Sequence, residues 1–101
     1  MTPGEVTMVH IYLTEGDKLL NRLMQLLHDE EQVAGVTVFR GITGFGKKGH
    51  VHSSSLIDIS LDLPLVVEFF DAAEKVEKII RDLDGLVEPG HVVSWHATIY
   101  E

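Results

Sequence analysis

The chain contains no cysteine, so disulfides are excluded and no thiolate is available to a metal. Basic residues are scarce: eight Lys and Arg stand against sixteen Asp and Glu, a net charge of −8. That balance argues against general binding to nucleic acid or to an anionic membrane, both of which need a basic face. No apolar run approaches the ~18 residues of a membrane span. The opening Met1-Thr2-Pro3-Gly4-Glu5 is acidic and lacks the apolar stretch of a secretory signal, so the cytoplasm is the expected compartment. Internal repeats and low-complexity tracts are also missing. The 101 residues predict one domain, residues 1–101. A chain of this size buries roughly 60–70% of its unfolded surface, enough for a single core.

The hydrophobic pattern predicts four main strands and two helices. Val6 to Leu13 alternates, with Val9, Ile11 and Leu13 on one face and Met8, His10 and Tyr12 on the other. Asp17 is the expected N-cap of a helix over Lys18–Gln32, whose leucines form a broad stripe and which Gly35 would end. Val36 to Thr43 predicts a second strand, rich in β-branched residues. Leu56 to Ile59 predicts a strand-like return, and Ser60 to Phe70 a third strand, in which Pro64 points to an edge or a bulge. Asp71 and Glu74 have the spacing of a capping box at the start of a second helix, which Asp84-Gly85 would stop. Val92 to Tyr100 predicts the last strand. The order β-α-β-β-α-β predicts an α+β, ferredoxin-like sandwich: an antiparallel sheet with both helices on one face.

In the last strand, Val93, Trp95, Ala97 and Ile99 are expected to face the helices. Val92, Ser94, His96, Thr98 and Tyr100 would then join Met8, His10 and Tyr12 on the open face. A face with two tyrosines, two histidines, a methionine and a valine points to a covering partner. The six histidines raise a metal reading, since imidazole suits zinc or copper. His50 and His52 lie close in sequence, and His10 and His96 would meet across two strands. A third ligand at a diagnostic spacing is lacking. Ser53-Ser54-Ser55 has no nucleophile elbow around it. Asp58, Asp62 and Glu68 read as a solvated strand face, and Asp82, Asp84 and Glu88 as helix-end and loop charge. No catalytic constellation stands out, so the chain is not read as an enzyme.

The most informative stretch is Phe39 to Ser55, FRGITGFGKKGHVHSSS. It carries Gly41, Gly44, Gly46 and Gly49 together with Arg40, Lys47 and Lys48, on an otherwise acidic chain. Glycines let backbone amides approach a ligand closely, successive inward amides form an anion-binding concavity, and the bases add charge that a phosphate can use. A flexible hairpin loop with solubilising lysines is the plainer alternative.

The spelling Gly44-Phe45-Gly46-Lys47-Lys48-Gly49-His50 closely resembles the signature at the start of the large flexible loop of PII signal-transduction proteins, one residue short. Together with Gly35 to Gly46 and Ser60 to Glu68, it is more specifically similar to a PII-like family catalogued as domain of unknown function 190. The resemblance covers nearly the whole chain. It implies a homotrimer whose sheets pack around a central axis, with a large flexible loop at about residues 45–58 and ligand clefts between subunits. It implies an adenine-nucleotide or related ligand held by Arg40, Gly41, Gly44, Phe45, Gly46, Lys47 and Lys48, with Gly90 and His91 in the place of a second loop. That second loop, Glu88-Pro89-Gly90-His91, departs from the family's spelling, and no Lys or Arg follows Arg81. AMP or ADP is therefore expected rather than ATP. The resemblance also implies a regulatory role exerted on a membrane transporter or channel. The alternative is a trimeric metal-binding or metal-tolerance protein of the same fold, using the histidines.

Overall fold

The computed structural model describes residues 1–14, 18–46, 51–53 and 63–101, with residues 51–53 described by backbone alone. The expected cap Asp17, the loop residues Lys47, Lys48 and His50, and the expected return over Leu56–Ile59 lie outside the described residues.

Strand β1 (Pro3–Thr14) leads into α1 (Leu20–Gln25), which runs on as a π-helical segment (Leu26–Glu30). Then follow β2 (Gly35–Arg40), β3 (Thr43–Phe45), β4 (Val51–Ser53), β5 (Pro64–Asp71), α2 (Ala73–Leu83) and β6 (Val92–Tyr100). The main sheet has the order β2-β5-β1-β6 with every pair antiparallel. This is the predicted ferredoxin-like plan, with a small β3–β4 ladder added. Residues that pair across strands share a face. Val9, Ile11 and Leu13 of β1 thus line up with Phe69, Val67 and Leu65 of β5. Leu23, Leu26 and Leu27 from the first helical element and Val76, Ile79 and Leu83 from α2 complete a buried core. Each such side chain contributes about 1.5–3 kcal/mol when fully buried.

Several local expectations change. The first helix begins at Leu20, not Lys18, and Gln32 takes the left-handed turn (φ 52°) that Gly35 was expected to supply. Gly35 instead opens β2, where a Cβ would lie 2.5 Å from the Phe70 ring. The second strand ends at Arg40, with Thr43 already in the separate β3–β4 ladder. Pro64 sits at neither an edge nor a bulge. It is the first residue of β5, an interior strand, where a missing N–H is tolerated. Asp71 is not a cap: Ala72 occupies that position without a side-chain bond, and β5 runs through Asp71. The predicted stop at Asp84-Gly85 agrees with the helix end at Leu83, and Gly85 turns with φ 82°.

The faces of β6 are reversed. Trp95 pairs with Met8 and Val93 with His10, so Val93, Trp95, Ala97 and Ile99 lie on the open face. Ser94, His96 and Thr98 lie on the helix side with Val9 and Thr7. Both remain possible for β6 because it is an edge strand beyond α2, which packs on β1 and β5. Its helix-side residues are mostly exposed and therefore polar. The register also separates His10 from His96, which lie on opposite faces.

Candidate functional site

One end of the sheet gathers the residues that the sequence singled out. Arg40 pairs with Leu65, and Leu65 with Leu13, so the end of β2, the start of β5 and the end of β1 are level. The Tyr12 N–H donates to the His91 carbonyl at 2.8 Å, which brings the loop before β6 to the same end. Arg40 is exposed there, on the helix side of the sheet that Leu65 also faces.

Pro64 shapes the glycine stretch. The Gly41 N–H donates to the Pro64 carbonyl at 2.7 Å. A Cβ on Gly41 would meet Pro64 Cγ at 2.7 Å, and one on Gly44 would meet it at 3.4 Å. Gly41 is therefore fixed by close approach, whereas a Cβ on Gly46 would meet nothing within 4 Å. Phe45 and Ile42 project outward, 76% and 80% exposed. The proline had been visible only as an interruption of a strand; its contact with residues 41 and 44 is non-local and carries no sequence signal.

On the other side, Gly90 turns with φ 89°. His91 Nδ1–H donates to the Tyr12 carbonyl at 3.0 Å, and the His91 N–H donates to the Glu88 carbonyl at 3.2 Å. The structure thus divides the candidates: Arg40, Gly41, Gly44, Phe45 and Gly46 stand on the β2 side, and Gly90 and His91 beside β1. Strands β5 and β1 lie between β2 and β6. At about 4.8 Å per strand, the two groups are some three spacings apart and do not form one cluster within a single chain.

A second feature is the open sheet face. Phe39, Tyr12, Val93 and Trp95 are each 41–50% exposed there. At its centre, His10 Nε2–H donates to the Glu68 carboxylate at 2.7 Å, and the Tyr12 hydroxyl lies 3.3 Å from His10 Nδ1. Trp95 meets the His10 ring edge-on at a centroid distance of 4.7 Å. Glu68, expected on a solvated face, is instead half-buried and paired. A contiguous aromatic and aliphatic face of this kind marks an interaction surface.

Two further charge clusters serve the fold. Burial pushes the Asp71 carboxyl up, but the Ala72 N–H (2.8 Å), the Lys75 ammonium (3.0 Å) and the Ala34 N–H (3.0 Å) outweigh it and hold it below its ordinary value. Glu31, nearly buried, accepts from Lys78 at 2.8 Å, and Lys78 also reaches Asp82 at 3.0 Å, tying the two helices together. Among the described residues, no three His, Asp or Glu side chains come close enough to hold a metal. Nor is any helix among them long and apolar enough to cross a membrane.

The profile of the DUF190 family, described as an uncharacterized ACR, matches residues 6–99. A UPF0166 protein of Methanocaldococcus jannaschii is 32% identical over 82 residues, covering 77% of this chain and 75% of the relative. Among solved structures, CPII from Thiomonas intermedia K12, bound to ADP and bicarbonate, superposes with a TM-score of 0.66 at 18% identity, over 97% of this chain and 89% of its own. CutA1 from Oryza sativa superposes with a TM-score of 0.63 at 14% identity, over 100% of this chain and 85% of its own. At these identities the structural likenesses establish the fold that PII-like and CutA1 proteins share.

Proposed function

The chain belongs to the DUF190 family, and on that premise we propose that it is a non-enzymatic PII-like regulatory protein of the cytoplasm, a single domain working as a homotrimer. It binds AMP or ADP in clefts between subunits and acts on a membrane transporter or channel through the loop at about residues 45–58. The observation that carries this reading is the division of the candidate residues. Arg40, Gly41 and Gly44 occupy the same sheet end as Gly90 and His91, yet two strands separate them. A second copy that supplies the missing half completes such a site, and the open face around Tyr12, Trp95 and Val93 gives the copies an apolar surface to share. The PII-like CPII structures with ADP, and with ADP and AMP, favour an adenine nucleotide.

Light scattering across a dilution series and calorimetry with AMP, ADP and ATP test the reading. A trimer that binds AMP or ADP more tightly than ATP is the expected result. A guanidinium makes paired hydrogen bonds to a phosphate, and bonds to charged groups are worth about 1.5–3 kcal/mol. Arg40→Ala is therefore expected to weaken ADP binding roughly ten- to a hundred-fold without changing the oligomer. A stable monomer, or a trimer indifferent to all three nucleotides, refutes the reading. The CutA1 from Ehrlichia chaffeensis is a divalent ion tolerance protein of similar fold, with a TM-score of 0.56. A thermal-shift panel of divalent metals is accordingly the test of the alternative, a metal-binding trimer.

A further inference from the structure

We infer that an anionic ligand is held at the Gly90–His91 loop only together with a proton, taken up by His91 at Nε2. The inference rests on the nucleotide reading above and adds a coupling to it. A carbonyl oxygen accepts and never donates. With the Tyr12 carbonyl 3.0 Å from Nδ1, that nitrogen carries the hydrogen in either charge state of the ring. In the neutral ring Nε2 is then a bare lone pair. The backbone of the loop is held at the same residue: the Tyr12 N–H donates to the His91 carbonyl at 2.8 Å.

The His91 side chain is 47% exposed. The neighbour of Nε2 is the Glu88 carboxylate at 3.8 Å, beyond hydrogen-bond range, and Glu88 is itself 72% exposed. On β1 the ring meets the Tyr12 carbonyl, while the Tyr12 phenol lies with His10 on the open face. Among the described residues, Glu88 is the titratable side chain facing the ring. No Lys or Arg follows Arg81 in the chain, so this loop's only source of positive charge is His91. An anionic oxygen arriving at a lone pair is repelled. Arriving at a protonated ring, it receives a charge-assisted N–H···O bond. An anion bound there brings a proton onto the ring, so its affinity depends on proton activity. The Glu88 carboxylate, 3.8 Å from Nε2, opposes binding by repelling an arriving anion.

Calorimetry with ADP decides the matter, at about pH 6 and about pH 8, in two buffers of different ionisation enthalpy. ADP titrates in the same range, so His91→Gln is the reference. Glutamine places an uncharged amide donor near the position of Nε2 and cannot titrate. Wild type is expected to take up close to one proton more than His91→Gln on binding at the higher pH. Its affinity relative to that variant is expected to fall by up to about ten-fold per pH unit. Glu88→Gln is expected to bind ADP more tightly than wild type. His91→Asn retains a donor for the Tyr12 carbonyl, so it is expected to melt like wild type yet show no extra uptake. Equal uptake in wild type and His91→Gln, with tight ADP binding in both, overturns the coupling and leaves the nucleotide reading standing. So does a wild-type affinity that rises with pH, which would make Nε2 an acceptor for a ligand donor. Wild type binding neither ADP nor AMP at either pH refutes both.

Discussion

Gly41→Ala tests whether close approach to Pro64, rather than backbone freedom, fixes the glycine stretch. The new methyl would sit 2.7 Å from Pro64 Cγ and 3.4 Å from the Pro64 carbonyl oxygen. Real Cβ contacts do not reach the first distance, and a proline ring closed onto its own backbone has only a change of pucker with which to yield. The backbone must part instead, which strains the 2.7 Å bond from the Gly41 N–H to the Pro64 carbonyl. Overpacking of this kind costs about 1–3 kcal/mol. For a chain of this size that corresponds to a melting shift of roughly 4–8 °C per kcal/mol, compared at equal protein concentration because the proposed assembly would make melting concentration-dependent. Gly46→Ala, with nothing within 4 Å, is the matched control and should change little. Pro64→Ala removes the Cγ, so the double variant Gly41→Ala/Pro64→Ala should recover most of the loss, a coupling that the double-mutant cycle measures directly. Gly41→Ala melting within the scatter of wild type, or a double variant showing simple additivity, would refute the steric account. The same variant reports on the site: ADP binding should weaken with stability, since Arg40 precedes the displaced residue.

Val93→Glu places a carboxylate on the open face beside His10. An unpaired buried charge costs about 3–5 kcal/mol, so light scattering should show the proposed trimer weakened at least a hundred-fold; an unchanged oligomer would move the interface elsewhere. Asp71→Asn removes the ion pair with Lys75 and half of the acceptor capacity that Ala34 and Ala72 use. A loss of about 1–2 kcal/mol at neutral pH is expected from urea unfolding. The folded-state pKa of Asp71 is depressed, so its contribution is present above the usual 3.8 and lost as pH falls below it. The gap between wild type and Asp71→Asn should therefore close in acid, and a gap independent of pH would assign the loss to shape rather than charge.

How much of this was legible depended on whether the deciding contact was local. The alternation in β1 predicted its faces correctly because helices cover one side of it, burying Val9 and Ile11 completely. The same rule failed for β6. There the more apolar set, Val93, Trp95, Ala97 and Ile99, was assigned to the core, yet the core stops at β1 and Val92. The register settles the question, since Trp95 opposes Met8, and register depends on a turn geometry that spelling does not encode. Correcting the face keeps the case for a covering partner: it replaces Val92, Ser94, His96, Thr98 and Tyr100 with Val93, Trp95, Ala97 and Ile99 beside Tyr12 and His10. Asp71 shows the opposite failure. Its spacing to Glu74 spells a capping box, but the strand extends one residue further than the pattern implied, and the carboxylate turns to the Ala34 amide across the sheet. Arg40 and the glycines were identified from the sequence, while the reason for Gly41 lies in a proline far along the chain. Sequence spacing singled out the candidate residues because each group, Arg40 to Gly46 and Gly90-His91, is local in the chain. It could not show that the two halves stand on opposite sides of β5 and β1, and that separation is the physical argument for a site completed by a second copy.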